Sequence, residues 1–123
     1  MTNSAPDLQT KNARLGFAPR GSSLSFHVQA APGFEAEAIL LLGTQTISTW
    51  VSSELVGKVT IVELVSAGQY QLQITCTFTD RNPTNVTIDL EVRAKGATLT
   101  SRSKSFTGIA PGSARAIADV YLP

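Results

Sequence analysis

His27 and Cys76 are the only histidine and the only cysteine among 123 residues. Chemistry built on an imidazole base, a thiolate or a soft metal must therefore pass through them. A Ser-His-Asp arrangement needs the imidazole in a pocket between a hydroxyl and a carboxylate. The run Leu24-Ser25-Phe26-His27-Val28-Gln29 instead alternates apolar and polar side chains, which puts His27 on the polar face of a strand between Ser25 and Gln29. Zinc takes three or four His, Cys or carboxylate ligands, and one His and one Cys on segments of opposite facing do not supply them. Cys76 falls on the apolar side of its segment, where a thiol acts as a small buried hydrophobe. A single cysteine also rules out an internal disulfide.

The carboxylates that sit close in sequence are Glu35/Glu37 and Asp89/Glu91. Two residues apart on a strand, their side chains share a face at about 7 Å. A glycosidase needs its two carboxyls flanking a sugar in a cleft, and nothing in the sequence builds one. Asp80-Arg81-Asn82-Pro83 carries a fragment of a calcium-loop pattern without the remaining oxygens and reads as a turn. Glycine-rich phosphate fingerprints are absent. The basic stretch from Arg93 to Arg115 has Phe106 as its one aromatic residue, whereas stacking platforms for single strands need several. Nucleic acid is therefore not expected as a partner. Asn85-Val86-Thr87 matches a glycosylation sequon, read as chance in a chain without an export signal. No catalytic, cofactor-binding or metal-binding residue is expected. Trp50 is open: buried in a core, or facing solvent with Tyr121 as a contact for sugar or protein.

The strongest structural signal lies between these residues. From Gly68 to Thr79 apolar and polar residues alternate without a break, so Tyr70, Leu72, Ile74, Cys76 and Phe78 share one face and Gln69, Gln71, Gln73, Thr75, Thr77 and Thr79 the other. Further strands are expected at Leu24–Ala30, Glu35–Leu42, Thr46–Val51, Val59–Val65, Val86–Arg93 and Ala114–Leu122. Val59–Val65 is nearly all apolar and reads as central. Lys95-Gly96 suits a two-residue hairpin turn; folding it back directly sets Asp89 opposite Arg102 and Thr87 opposite Lys104, with Leu99, Ser101, Ser103 and Ser105 inward on an edge strand. No helical stripe stands out. The Gly68-x-Tyr70-x-Leu72 pattern occurs in strands of many β-sandwiches of unrelated families. The expected fold is all-β: a single antiparallel β-sandwich of about eight strands, jelly-roll or immunoglobulin-like, over 22–123. An extended N-terminal arm covers 1–21.

Charged residues make up 15% of the chain against an ordinary value of about 25%. Their layout is uneven. Residues 1–21 carry Lys11, Arg14 and Arg20 against Asp7, a net +2; residues 22–92 carry seven acids against Lys58 and Arg81, a net −5; residues 93–123 carry five bases against Asp119, a net +4. Pairing within the fold is the expected outcome, and contact between copies the alternative. No apolar run approaches the ~18 residues a membrane span requires, and the start lacks the basic and apolar regions of an export signal, so cytoplasmic synthesis is expected. The reading that results is a structural or assembly subunit that oligomerises or decorates a larger particle such as a phage virion. Its expected contacts are Leu8, Leu15 and Phe17 of the arm and the Gln69, Gln71, Gln73 face. The alternative is a carbohydrate-binding or adhesive module using Trp50 or Tyr121.

Overall fold

A strand that alternates as strictly as residues 68–79 needs a neighbour on each edge and a dry layer beneath one face. The computed structural model supplies both, and describes residues 7–29 and 31–123. Residues 1–6 and Ala30, the expected inward end of the first strand, lie outside the described residues. The elements are β1 (Asp7–Phe17), β2 (Ser23–Val28), β3 (Phe34–Leu42), β4 (Gln45–Trp50), α1 (Ser52–Leu55), β5 (Val59–Glu63), β6 (Gly68–Phe78), β7 (Thr84–Ala94), β8 (Ala97–Gly108) and β9 (Gly112–Leu122). The protein is all-β, in a five-stranded sheet of order β1-β9-β6-β3-β4 and a four-stranded sheet of order β5-β2-β7-β8.

At the centre of the larger sheet, β6 pairs antiparallel with β3 from Phe34↔Phe78 to Leu42↔Tyr70 and with β9 from Gly68↔Leu122 to Phe78↔Gly112. Directly paired residues face the same way, so Ile74 is flanked by the small Ala38 and Ala116, Leu72 by Leu40 and Ala118, and Tyr70 by Leu42 and Val120. These side chains, Leu42 only in part, are buried together with Leu24, Phe26, Ile88 and Leu90 of the smaller sheet in one core cluster. Tyr70 enters this core ring-first, and its hydroxyl donates to the carbonyl of Ser66 at 2.5 Å. A buried phenol needs such an acceptor, and the bond pins the Ser66-Ala67-Gly68 turn to the start of β6.

The stretch expected as an extended arm contributes β1, which runs parallel to β9 from Asp7↔Gly112 to Phe17↔Tyr121. Ala13 and Leu15 are buried from this strand. Beyond them, Gln9 Nε2 donates to the Thr107 carbonyl at 2.8 Å and Lys11 Nζ to that of Ser105 at 2.5 Å. The Lys11 ammonium also sits 5.1 Å from the centre of the Phe106 ring. These contacts tie β1 to β8 of the other sheet.

Other expectations change. The strand Val59–Glu63 pairs only with β2 and forms an edge of its sheet, not its centre. One side of β5 has no neighbour, so its outward Val59 and Ile61 remain 62% and 63% exposed. The hairpin at Lys95-Gly96 forms, with positive φ of 53° and 76° as its turn type demands. The strand that returns from it is out of the expected register. A bulge at Leu99 separates the Arg93↔Thr98 pair from Val92↔Thr100, so Asp89 faces Ser103 and Thr87 faces Ser105. The serines thus point outward. Thr100, Arg102, Lys104 and Phe106 take the face expected for Leu99, Ser101, Ser103 and Ser105. One short helix, α1, appears where none is expected; Ser52 Oγ accepts from the Ala36 amide at 2.6 Å and docks it on β3.

Two substitutions test this core by urea unfolding. Leu72→Ala removes a fully buried side chain and is expected to cost about 2–5 kcal/mol. Tyr70→Phe keeps the ring but loses the Ser66 bond, for an expected cost of about 0.5–1.5 kcal/mol.

Candidate functional site

Chemistry-bearing residues are dispersed. His27 lies beside Asp89 in the β2–β7 register, and Asp89 lies beside Ser103 in the β7–β8 register. A triad needs the imidazole in the middle; in this row the carboxylate is central, and Ser103 stands two strands away, about 9–10 Å, from His27. The row lies on the outward face of the smaller sheet, and none of the three side chains hydrogen-bonds to another. Among the described residues no group of three or more His, Cys, Asp or Glu side chains converges. No helix among them is long and apolar enough to cross a membrane. Glu35 and Glu37 are exposed on the outer face of the larger sheet, beside a shallow depression of about 480 Å³ shared with Ser52, Ser53, Thr75 and Thr77.

What does converge is the outer face of that five-stranded sheet. Gln69, Gln71 and Gln73 of β6 point outward, and Tyr121 sits beside Gln69 on β9. Leu8 is outward on β1, 48% exposed, and Phe17 joins the same face at 77%. Leu15 does not. Period two would put it beside Phe17 on one side of the strand, but it is 2% exposed in the core. A bulge causes the split: Arg14 pairs with Asp119 and Gly16 with Val120, so Leu15 and Gly16 together oppose one residue. Gly16 takes a φ of +74°, which a side chain would strain. Leu15 is therefore a packing residue and no interface residue. Trp50 also leaves the surface, because it faces inward opposite Ala38, half-buried, with its ring edge-on to Phe26 at 5.1 Å and 77°.

Phe17 and Tyr121 meet edge to face at 5.4 Å and 87°. Arg14, Gln69 and Asp119 surround them at a shallow depression of about 400 Å³. The amides of β6 form a short ladder, Gln73 Nε2 donating to Gln71 Oε1 at 2.7 Å and Gln71 Nε2 to Asp119 Oδ1 at 3.2 Å. Further residues complete the face by register. The row Glu37–Thr75–Arg115 crosses β3, β6 and β9, and the next row is Ile39–Gln73–Ile117. Sequence reasoning missed Glu37, Ile39, Arg115 and Ile117 as neighbours, since their only signal is the pairing of strands far apart in the chain.

The charges of the fold also stay largely unpaired. Glu91–Arg93, at 3.3 Å, is the one ion pair among the described residues, so the expected pairing within the fold gives way to charges directed at solvent. Comparisons with family models, with curated proteins and with solved structures find no match.

Cys76 is a built-in probe of the core. Burial pushes its thiol up from the ordinary 9.0 to about 12. Native protein at pH 8 is expected to resist maleimide, with labelling at the rate of unfolding. Between pH 9 and 12 the folded thiol keeps a proton that the unfolded chain releases. Stability should therefore fall as pH rises through that window, by at most about 1.4 kcal/mol per unit. Urea titrations of Cys76→Ala should show a shallower alkaline decline.

Proposed function

We propose that this protein is a non-enzymatic structural or assembly subunit, a small β-sandwich that joins a larger particle through the outer face of its five-stranded sheet. The observation that carries the reading is the composition of that face. Exposed Leu8, Phe17, Ile39 and Tyr121 lie among neutral Gln and Thr side chains, a mixture suited to burying against protein. A virion component, capsid or tail, is the kind of assembly envisaged.

The sandwich is inferred to be immunoglobulin-like rather than a jelly roll. Only β3–β4 and β7–β8 are hairpins within a sheet; every other connection between strands passes from one sheet to the other. The Tyr70 hydroxyl bonded back to Ser66 at the start of β6 has the form of a tyrosine corner. Central β6 between β3 and β9, and the pairing of β2 with β5, fit strands F, C, G, B and E of that architecture. The departure is the β7–β8 hairpin, inserted between β6 and β9 and laid beside β2. Architecture alone names no function, so the reading rests on the face.

Phe17 and Tyr121 beside Arg14, Gln69 and Asp119 favour a second reading, a carbohydrate-binding or adhesive module. An aromatic surface with hydroxyl-binding neighbours is the chemistry a sugar ring needs. Native mass measurement and light scattering separate the two. The assembly reading expects a defined oligomer of the wild type that Phe17→Asp weakens while the urea midpoint shifts little. A clean monomer that binds a glycan array, with binding lost in Phe17→Ala, would favour the sugar.

A further inference from the structure

Resting on the assembly reading, we propose that the partner of the five-stranded face is a second copy of this chain, related by a two-fold axis running along β6. A two-fold interface must be self-complementary: what one side offers, the other must accept. Across the strands this face is polarised. Glu37 projects from β3 on one side of β6, and Arg115 occupies the same row from β9 on the other. Rotation about an axis along β6 exchanges the two sides. Glu37 of each copy then meets Arg115 of the other, twice over.

The neighbouring row obeys the same rule. Ile39, 37% exposed, meets Ile117 of the second copy, so apolar surface covers apolar surface. Gln73, in the middle of that row, falls on the axis and faces its own image. A primary amide carries both donors and an acceptor, so it can bond to itself across a two-fold, which a charged side chain could not do. A two-fold perpendicular to the strands fails this test, because it stacks β3 on β3 and sets carboxylate against carboxylate.

Glu37 makes no ion pair within the described residues. Arg115 donates through Nε to Thr75 Oγ1 at 3.2 Å, which holds the guanidinium on the face, and among the described residues its terminal nitrogens make no ion pair. Packed sheets sit about 10 Å apart, within the combined reach of Arg and Glu. Five strands at about 4.8 Å spacing and 11 residues of β6 at about 3.3 Å each give a face of roughly 800 Å². That matches the ~800 Å² per partner of a standard stable interface.

The test measures sedimentation equilibrium of the wild type, Glu37→Arg, Arg115→Glu and the double variant. A dimer is expected, each single change weakening it at least about tenfold and the double variant recovering most of the loss, with added salt weakening the wild type. As a second measurement, Gln73→Cys is treated with a short bismaleimide, Asn85→Cys on the other sheet serving as control; buried Cys76 contributes no background. Only Gln73→Cys should give a covalent dimer. A stable oligomer indifferent to the charge swap and not linked through position 73 overturns the two-fold pairing and leaves the assembly reading standing. A strict monomer at millimolar concentration, with no cross-link, overturns both.

Discussion

Everything in this fold leans on β6 being sealed along both edges and one face at once. Its backbone groups are consumed by β3 and β9, and its apolar side chains fill the space toward the smaller sheet. An unpaired amide in that position would cost roughly as much as several well-made contacts contribute, so the two neighbours are compulsory. The run of small side chains on β9 arises from the same constraint. Next to Leu72, Ile74 and Cys76, bulky residues on β9 would overfill the layer, and Ala118, Ala116 and Ala114 leave the density right. The Tyr70–Ser66 bond completes the arrangement by fixing where β6 begins.

How much of this was readable in the residues depends on what kind of information each feature needs. The alternation of 68–79 needs no partner to be seen, so β6 and its buried set could be read directly. The Lys95-Gly96 turn was equally local, since two adjacent positive φ angles leave few alternatives. The facing of the strand beyond that turn is less legible. One extra residue, Leu99, inverts it, and no periodicity marks a bulge in advance. Leu15 and Phe17 repeat the lesson: two residues apart, they end on opposite sides because Gly16 sits between them. The apolar run Val59–Val65 misled for another reason, as apolar side chains on both faces describe a covered central strand and an exposed edge strand equally well.

Surface residues were only partly legible. Gln69, Gln71, Gln73, Leu8, Phe17 and Tyr121 were identified one by one, but only tertiary pairing places them on one plane. The charge imbalance along the chain was visible as numbers per segment. Its spatial meaning depends on β3 lying two strands from β9, a fact held in the β3–β6 and β6–β9 pairings between residues roughly thirty to fifty-five apart in the sequence. Trp50 is a different case: its sequence left burial and exposure both open, and its half-buried place opposite Ala38 and against Phe26 is decided by the sheet.

The parallel pairing of β1 with β9 has an implication for synthesis. β1 is the earliest of the described strands to leave the ribosome, and the strand it needs is the latest. Throughout translation of the intervening segments, Ala13 and Leu15 have no sheet to enter, and Leu8 and Phe17 add to a sticky, unsheltered leader. Closing so wide a loop is also slow compared with forming a local hairpin. The nascent chain must therefore remain incomplete at its founding edge until β9 emerges. A sparse, polar stretch of Thr, Asn, Lys and Arg around those few apolar groups is the composition that lets it wait without aggregating.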